Sequence, residues 1–326
     1  MTPDNLTSQN QAAGIRDAAN AIQSASSILI TTHINPDGDA IGSALGLWHI
    51  LKALGKRSVV VTQDGAGQRY QFLPGAADIS TNTDATFDLG IAVDCGNIVR
   101  VGKAGQYLRA CRHMMRIDHH AVGESFGDLE FIDTNAAAVG EMITALAEEM
   151  GAAIPAEAGN CLLASIVEDT GCFQFSSVSP QSFRICADLV ESGADLHWVV
   201  QNLFWRNSEG AVRMAGKCLQ VHHRDFGGQL AWTIAALDDF AHFGAIQEDM
   251  DEVVHDLLGI DGVEVALLLR ESQKSYRISL RSRNYVDVAG IASEFGGGGH
   301  HKAAGCQIDR TDDAMQSLIQ AIGRHL

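Results

Sequence analysis

Four short stretches of this chain bring aspartate and histidine to the end of an apolar run, and together they hold a donor set for hard divalent cations. The first is Thr31-Thr32-His33-Ile34-Asn35-Pro36-Asp37-Gly38-Asp39, directly after Ile28-Leu29-Ile30. The others are Val93-Asp94-Cys95-Gly96-Asn97, Ile117-Asp118-His119-His120 and Val167-Glu168-Asp169-Thr170-Gly171. Carboxylate oxygens mixed with imidazole nitrogens suit Mn²⁺, Mg²⁺ or a similar ion, whereas thiolates favour zinc. So many side chains exceed the needs of one ion and suit two, about 3.5–4 Å apart, with one carboxylate shared. Such a pair acidifies a bound water and stabilises an in-line transition state at phosphorus. Singly, each residue has a plainer explanation. Asp39 can cap the helix that follows it, and Pro36 and Gly38 can simply make a turn. The coincidence of four segments carries the metal reading.

The elements that position these segments follow from the apolar pattern. Strands are predicted at Ser27–Thr32, Ser58–Thr62, Leu89–Asp94, Met114–Asp118 and Leu129–Ile132. Helices are predicted at Ala40–Leu54, Ala138–Met150, Glu157–Val167 and Pro180–Ser192. Continuous apolar strands separated by helices indicate an α/β fold with a parallel sheet covered on both faces. Functional loops of such sheets lie beyond the carboxyl ends of the strands, where three of the four segments fall.

A length of 326 residues suggests two domains. We expect a metal domain over residues 1–190, a helical connector over 191–225, and a smaller α/β substrate-binding unit over 226–326. The last unit has predicted strands at Leu230–Ala235, Val263–Arg270 and Tyr276–Arg283, a helix near Val286–Phe295, and a final helix from Asp312.

The net charge of −17 argues against a protein that coats long DNA or RNA through a basic surface. Cations are instead concentrated locally, at Arg270, Lys274, Arg277, Arg281 and Arg283. Arg277, Arg281 and Arg283 share strand parity. A solvated strand face is the plain alternative for Arg277, while Arg281 and Arg283 are read as phosphate contacts, because a guanidinium binds phosphate oxygens bidentately. The run Gly296 to Gly299 before His300 reads either as a loop whose N–H groups cradle an anion or as a flexible connector. Seven scattered cysteines without a CxxC pair indicate reduced thiols and a cytoplasmic setting. No leader pattern or apolar run of about 20 residues is evident, so no membrane partner is expected. His222-His223 is read as a surface pair on the helical connector, and Gly65-Ala66-Gly67 as a turn.

These motifs give the chain a clear resemblance to the DHH phosphoesterases, whose signature stands here as Asp118-His119-His120. The segment His33 to Asp39, Val93-Asp94 and Asp169-Thr170-Gly171 match the other blocks in order. The run Gly297-Gly298-Gly299-His300-His301-Lys302-Ala303-Ala304-Gly305 resembles the DHH-associated C-terminal domain. The chain is most similar to the NrnA-type subgroup. That resemblance implies hydrolysis of short oligoribonucleotides or of 3′-phosphoadenosine-5′-phosphate (pAp), using two Mn²⁺ ions, with Mg²⁺ or Co²⁺ as substitutes. It also implies ligand roles: His33, Asp37 and Asp94 for one ion, and Asp39, Asp94, His119 and Asp169 for the other, with Asp94 bridging. Asp118 would orient His119, and His120 would face the phosphate. Gly297, Gly298, Gly299, His300, Arg281 and Arg283 would contact the nucleotide. A homodimer is compatible with this reading. A cyclic-dinucleotide phosphodiesterase of the same layout is the nearest rival, and a nucleotide-binding regulator without catalysis a more distant one.

Overall fold

The computed structural model describes residues 3–120, 123–250 and 252–326. Two compact units emerge, residues 1–206 and 207–326. The first contains α1 (Pro3–Ser24), β1 (Ser27–Thr31), α2 (Gly38–Ala53), β2 (Arg57–Val60), β3 (Leu89–Val93) and α3 (Gly105–Arg109). It continues through β4 (His113–Asp118), β5 (Leu129–Ile132), α4 (Val139–Glu149), α5 (Ala156–Asp169), α6 (Pro180–Glu191) and α7 (Leu196–Phe204). The strands form a sheet in the order β2-β1-β3-β4-β5, and every pairing is parallel.

An all-parallel sheet has no face turned to water, so its inner strands must be apolar on both sides. Accordingly β1 and β3 are buried along their whole length. Ile28, Ile30, Ile91 and Ile117 pack with apolar residues of α1, α2, α4 and α5. On the opposite face Leu29 and Ala92 meet Val101, Ala104 and Leu108. Helices α2 and α5 approach so closely that a Cβ on Gly42 would lie 2.5 Å from the Cys161 carbonyl oxygen and 2.8 Å from Ser165 N. Both are backbone atoms, which cannot swing aside as a side chain would. This contact fixes the start of α2, bearing Asp37 and Asp39, against α5, whose last residue is Asp169.

The second unit contains α8 (Glu209–Gln220), β6 (His223–Asp225), β7 (Leu230–Ala235), α9 (Leu237–Phe243), α10 (Val253–Gly259) and β8 (Val265–Glu271). Then follow β9 (Ser275–Ser282), α11 (Val288–Glu294), β10 (Gly298–His300), β11 (Ala303–Asp309) and α12 (Asp312–Gly323). Its sheet runs β10-β11-β9-β8-β7-β6, antiparallel except for the β7–β8 pair. Leu267, Ile278 and Leu280 pack with Val288, Ile291, Leu318 and Ile322 on one face. Ala266 and Leu268 pack with Met214, Phe240 and Leu257 on the other.

Two local expectations are corrected. The stretch 191–225 is not purely helical, because it closes with β6, a short edge strand paired with β7. His223 therefore sits on a strand and stacks on Trp232 with ring centroids 4.3 Å apart, while His222 Nδ1 lies 2.7 Å from the Leu219 carbonyl oxygen. All three β6 residues are exposed, so no apolar alternation marks the strand. The glycine run is likewise not a loop throughout, since Gly298 to His300 form β10 on β11. Side chains at Gly297 and Gly299 would strike β11, with a Cβ 2.5 Å from Cys306 Cβ and 2.7 Å from Ala304 Cα respectively. Nothing lies within 4 Å of a Cβ on Gly298. All seven cysteines are free thiols.

The α2–α5 contact predicts that Gly42→Ala destabilises the protein by about 1–3 kcal/mol through overpacking. Gly216, exposed in α8 with nothing near its Cβ position, is the control: Gly216→Ala should stabilise by roughly 0.5–1 kcal/mol. Urea unfolding of the two variants checks both signs.

Candidate metal centre

The loop after β1 is tied down before it reaches its acidic residues. Ile34 N donates to the Arg100 carbonyl oxygen (2.7 Å) and Asn35 N to Asp64 Oδ2 (2.8 Å). Asn35 takes a left-handed φ of 48°, a conformation that asparagine and aspartate tolerate better than other non-glycine residues. Asp37 caps α2, accepting from Ala40 N at 3.0 Å. Asp39, in the first turn, accepts from Ser165 Oγ at 2.5 Å and from Val139 N at 2.9 Å. It is thereby held from both α5 and α4. Asp94 follows β3 with φ of 53°, and its N–H donates to the Ile117 carbonyl oxygen at 2.9 Å. Strain of this kind in a non-glycine residue persists only where surrounding structure enforces it, and it clusters at functional sites.

Asp94 lies between two groups of donors. His33 Nε2 is 3.7 Å from Asp37 Oδ2 and 3.4 Å from Asp94 Oδ2. His119 Nε2 is 3.6 Å from Asp39 Oδ2, 3.4 Å from Asp169 Oδ2 and 3.8 Å from Asp94 Oδ1. The ligand atoms of His33, Asp37 and Asp94 all lie within 4.8 Å of one another, as do those of Asp39, His119 and Asp169. Gaps of 3.4–3.8 Å are too long for hydrogen bonds. They fit donors gathered about a cation at roughly 2.0–2.2 Å, which sets neighbouring donor atoms about 3–4 Å apart.

Two further observations test the fit. The Nδ1 atoms of His33 and His119 lie 2.8 and 3.0 Å from the carbonyl oxygens of Ile34 and Ala136. A carbonyl can only accept, so each Nδ1 carries a proton, and each ring, once Nε2 gives up its own proton, would present that lone pair to a cation held among the carboxylates. Asp94 Oδ1 is buried and has no hydrogen-bond partner among the described residues. Leaving a carboxylate oxygen in that state is costly, and a cation beside it removes the cost.

The electrostatics agree. Burial, and then the charge of Asp94, push the Asp39 carboxyl up to about 7. Burial, and then Asp39 and Asp94, push Asp169 well above the ordinary carboxylate range. Burial works against a charged His33, but its contacts with Asp37 and Asp94 outweigh this and raise it to about 11. The cluster thus gathers protons when no cation is there, and cation binding must expel them.

Asp118 has a different role from the one expected. Its Oδ1 is 2.7 Å from His120 Nδ1 and accepts from His119 N at 3.0 Å. Its other oxygen pairs with Arg116 Nη2. The His119 ring is instead oriented by the Ala136 carbonyl, so Asp118 positions the ring of His120. Although burial opposes it, the hydrogen bond that His120 donates to Asp118 raises the ring above the usual histidine pKa. Burial also opposes ionisation of Asp118, yet His120 and Arg116 hold its carboxyl far below the ordinary range.

Sequence reasoning missed Arg116, Ser165 and the Tyr70–Glu168 pair. Arg116 sits two residues before Asp118 on the same side of β4, and a cation inside an apolar strand was the available signal. Ser165 gave none, because its link to Asp39 spans 126 positions. Tyr70 donates to Glu168 Oε1 at 2.6 Å, and a Cβ on Gly38 would overlap Glu168 Oε2. Glu168 therefore shapes the turn that presents Asp37.

In the second unit, Arg277 and Arg281 share one face of β9, with Arg277 exposed and Arg281 half-buried. Arg281 Nε donates to His255 Nε2 at 3.3 Å. Arg283 lies beyond the strand, where its Nη2 donates to the Leu258 and Ile260 carbonyls at the end of α10. Part of its fork is thus occupied in finishing a helix. Gly298, Gly299 and His300 are exposed along β10.

Comparison with known proteins agrees with this architecture. Residues 27–166 match the N-terminal domain of the DHH family, and residues 230–326 match the DHHA1 domain. The bifunctional oligoribonuclease and PAP phosphatase NrnA of Thermus thermophilus is 33% identical over 92% of this chain and 90% of its own length. An exopolyphosphatase-related protein from Bacteroides fragilis superposes with a TM-score of 0.89 at 26% identity, covering 96% of both chains. RecJ from Thermus thermophilus, solved in complex with Mn²⁺, shares the fold with a TM-score of 0.58 at 14% identity, over 96% of this chain and 55% of that one. The chain belongs to the DHH phosphoesterase family, with its N-terminal domain joined to a DHHA1 domain.

Proposed function

We propose that the chain is a two-metal phosphoesterase that hydrolyses short oligoribonucleotides to mononucleotides and removes the 3′-phosphate of pAp. The observation that carries this reading is Asp94, whose two oxygens face separate histidine–carboxylate groups. His33, Asp37 and Asp94 would hold one ion, and Asp39, Asp94, His119 and Asp169 the other. Mn²⁺ is our first assignment, with Mg²⁺ or Co²⁺ as substitutes, because the donors are oxygen and imidazole nitrogen. The RecJ structure of the same fold contains Mn²⁺.

When bound, such a pair supplies an acidified water and charge compensation at phosphorus. The chain's own side chains do the remainder. Asp118, itself paired with Arg116, holds His120 by Nδ1, and from that position the ring would donate its Nε2–H to a phosphate or leaving-group oxygen. His120 is 19% exposed, enough to be reached from solvent.

The substrate class rests on the NrnA relative and on charge. A chain of net charge −17 attracts long polyanions poorly, whereas a short nucleotide can be captured by local cations. Gly297, Gly298, Gly299, His300, Arg281 and Arg283 are the positions we assign to nucleotide contact. Gly298 is the most informative of them, because the fold around it leaves room for a side chain.

Three measurements follow. Asp94→Asn should cut Mn²⁺-dependent turnover by more than about 100-fold and reduce bound Mn²⁺, while Asp118→Asn, acting through His120, should cost about 10–100-fold. Asp94→Asn retaining turnover within a factor of about ten would contradict the bridging role. Gly298→Ala should raise KM for pAp by about tenfold or more with no loss of thermal stability; an unchanged KM would remove Gly298 from the substrate contacts. Finally, pAp, pApA, a five-mer, cyclic di-AMP and pyrophosphate should be compared at equal concentration with Mn²⁺. The expected order places pAp and the short linear oligonucleotides first. Faster turnover of cyclic di-AMP would replace the substrate assignment.

A further inference from the structure

Glu168 stands one position before Asp169 near the end of α5, yet it belongs to neither group of donors. Its Oε1 accepts from the Tyr70 hydroxyl at 2.6 Å. Its Oε2 is buried and has no hydrogen-bond partner among the described residues. A carboxyl group kept in that state costs more than an apolar side chain of similar size. Filling space therefore does not account for Glu168. What an apolar residue could not do is accept from Tyr70.

The Tyr70 ring is buried in the main core of the first unit, so its hydroxyl is a fixed point for the carboxyl group it meets. That carboxyl group in turn lies against Gly38, where a Cβ would come within 2.7 Å of Glu168 Cδ. Gly38 is not among the glycines with left-handed φ. The turn itself does not require glycine there, whereas the room for Glu168 does. Asp37, the residue before Gly38, has the most need of a brace. Asp39 is gripped by Ser165 and Val139 from two other helices. Asp37 has a single hydrogen bond among the described residues, from Ala40 N within its own cap, and its side chain is 53% exposed. Its place thus depends on the turn against which Glu168 closes.

We propose that Tyr70 and Glu168 form a clamp that positions Asp37 and so sets the cation affinity of the His33–Asp37–Asp94 group, while the Asp39–His119–Asp169 group relies on its own supports. Both are positioning residues, acting through Gly38 and Asp37 and not on the ion or the substrate. The line of contact runs from the core through the Tyr70 ring and the Glu168 carboxyl group to Gly38. It joins the segment between β2 and β3 to the end of α5 and the start of α2. The inference rests on the two-ion reading above, but it concerns the relative strength of the two sites and not which ester is cleaved.

The test counts Mn²⁺ bound to the full chain, without substrate, from the loss of the free-ion EPR signal during titration. Wild type should bind two ions. Tyr70→Phe and Glu168→Ala should each weaken one of the two by about tenfold or more. Glu168→Gln, which keeps the shape and the link to Tyr70, should stay within about threefold of wild type. Asp37→Asn identifies the affected ion: in that background Tyr70→Phe should leave the remaining ion's affinity unchanged, because the clamp has nothing left to position. A wild type that binds one ion would contradict the two-ion reading and the proposal with it. Two ions of unaltered affinity in Tyr70→Phe and Glu168→Ala would overturn the clamp alone. So would a Glu168→Gln as weak as Glu168→Ala, or a Tyr70→Phe effect that persists in full beside Asp37→Asn.

Discussion

The constraint on which the first unit depends is the crowding of carboxylates around Asp94. Asp37, Asp39, Asp94 and Asp169 converge with His33 and His119 at the ends of β1, β3, β4 and α5. Like charges at that spacing oppose ionisation, and burial adds to the penalty. The result is visible in the raised pKa of Asp39 and Asp169 and in an Asp94 oxygen without a hydrogen bond among the described residues. A site that merely needed stability would not be built this way, because removing one or two carboxylates would relieve it. Divalent cations would turn the same arrangement from a liability into a set of ligands.

Much of the scaffold serves to hold that crowding in place. The Gly42 contact draws α2 onto α5. Ser165 then reaches Asp39 while accepting from Gly140 N, so α2, α4 and α5 meet at a single hydroxyl. The Ile34 and Ala136 carbonyls set the histidine tautomers, and the Arg116–Asp118 pair sets His120. These contacts come from residues distant in sequence, which is why the position of each candidate ligand is well determined although its local segment is short.

The parallel sheet and the four acidic segments were legible because each left a local mark. Apolar runs such as Ile28 to Ile30 could only be buried strands, and Asp94 and Asp118 stand where such runs stop. Leu129–Ile132 and Leu230–Ala235 coincide with the observed strands. What was illegible depends on partners far along the chain. The role of Asp118 turned on whether its oxygen met the ring of His119 or of His120, a matter of side-chain direction that spacing does not encode. Strand β10 has no pattern because glycine has no side chain to alternate, and β6 has none because all its residues face water. Arg283 obeyed strand parity in sequence yet lies beyond the strand, where the end of α10 takes part of its fork.

The central claim is that two cations share Asp94, and Mn²⁺ can report this directly. Crystals grown with Mn²⁺ should show, in anomalous difference density, two peaks about 3.5–4 Å apart. One should lie among His33, Asp37 and Asp94, and the other among Asp39, Asp94, His119 and Asp169. A single peak at full Mn²⁺ loading, or peaks that leave Asp94 uncoordinated, would contradict the account.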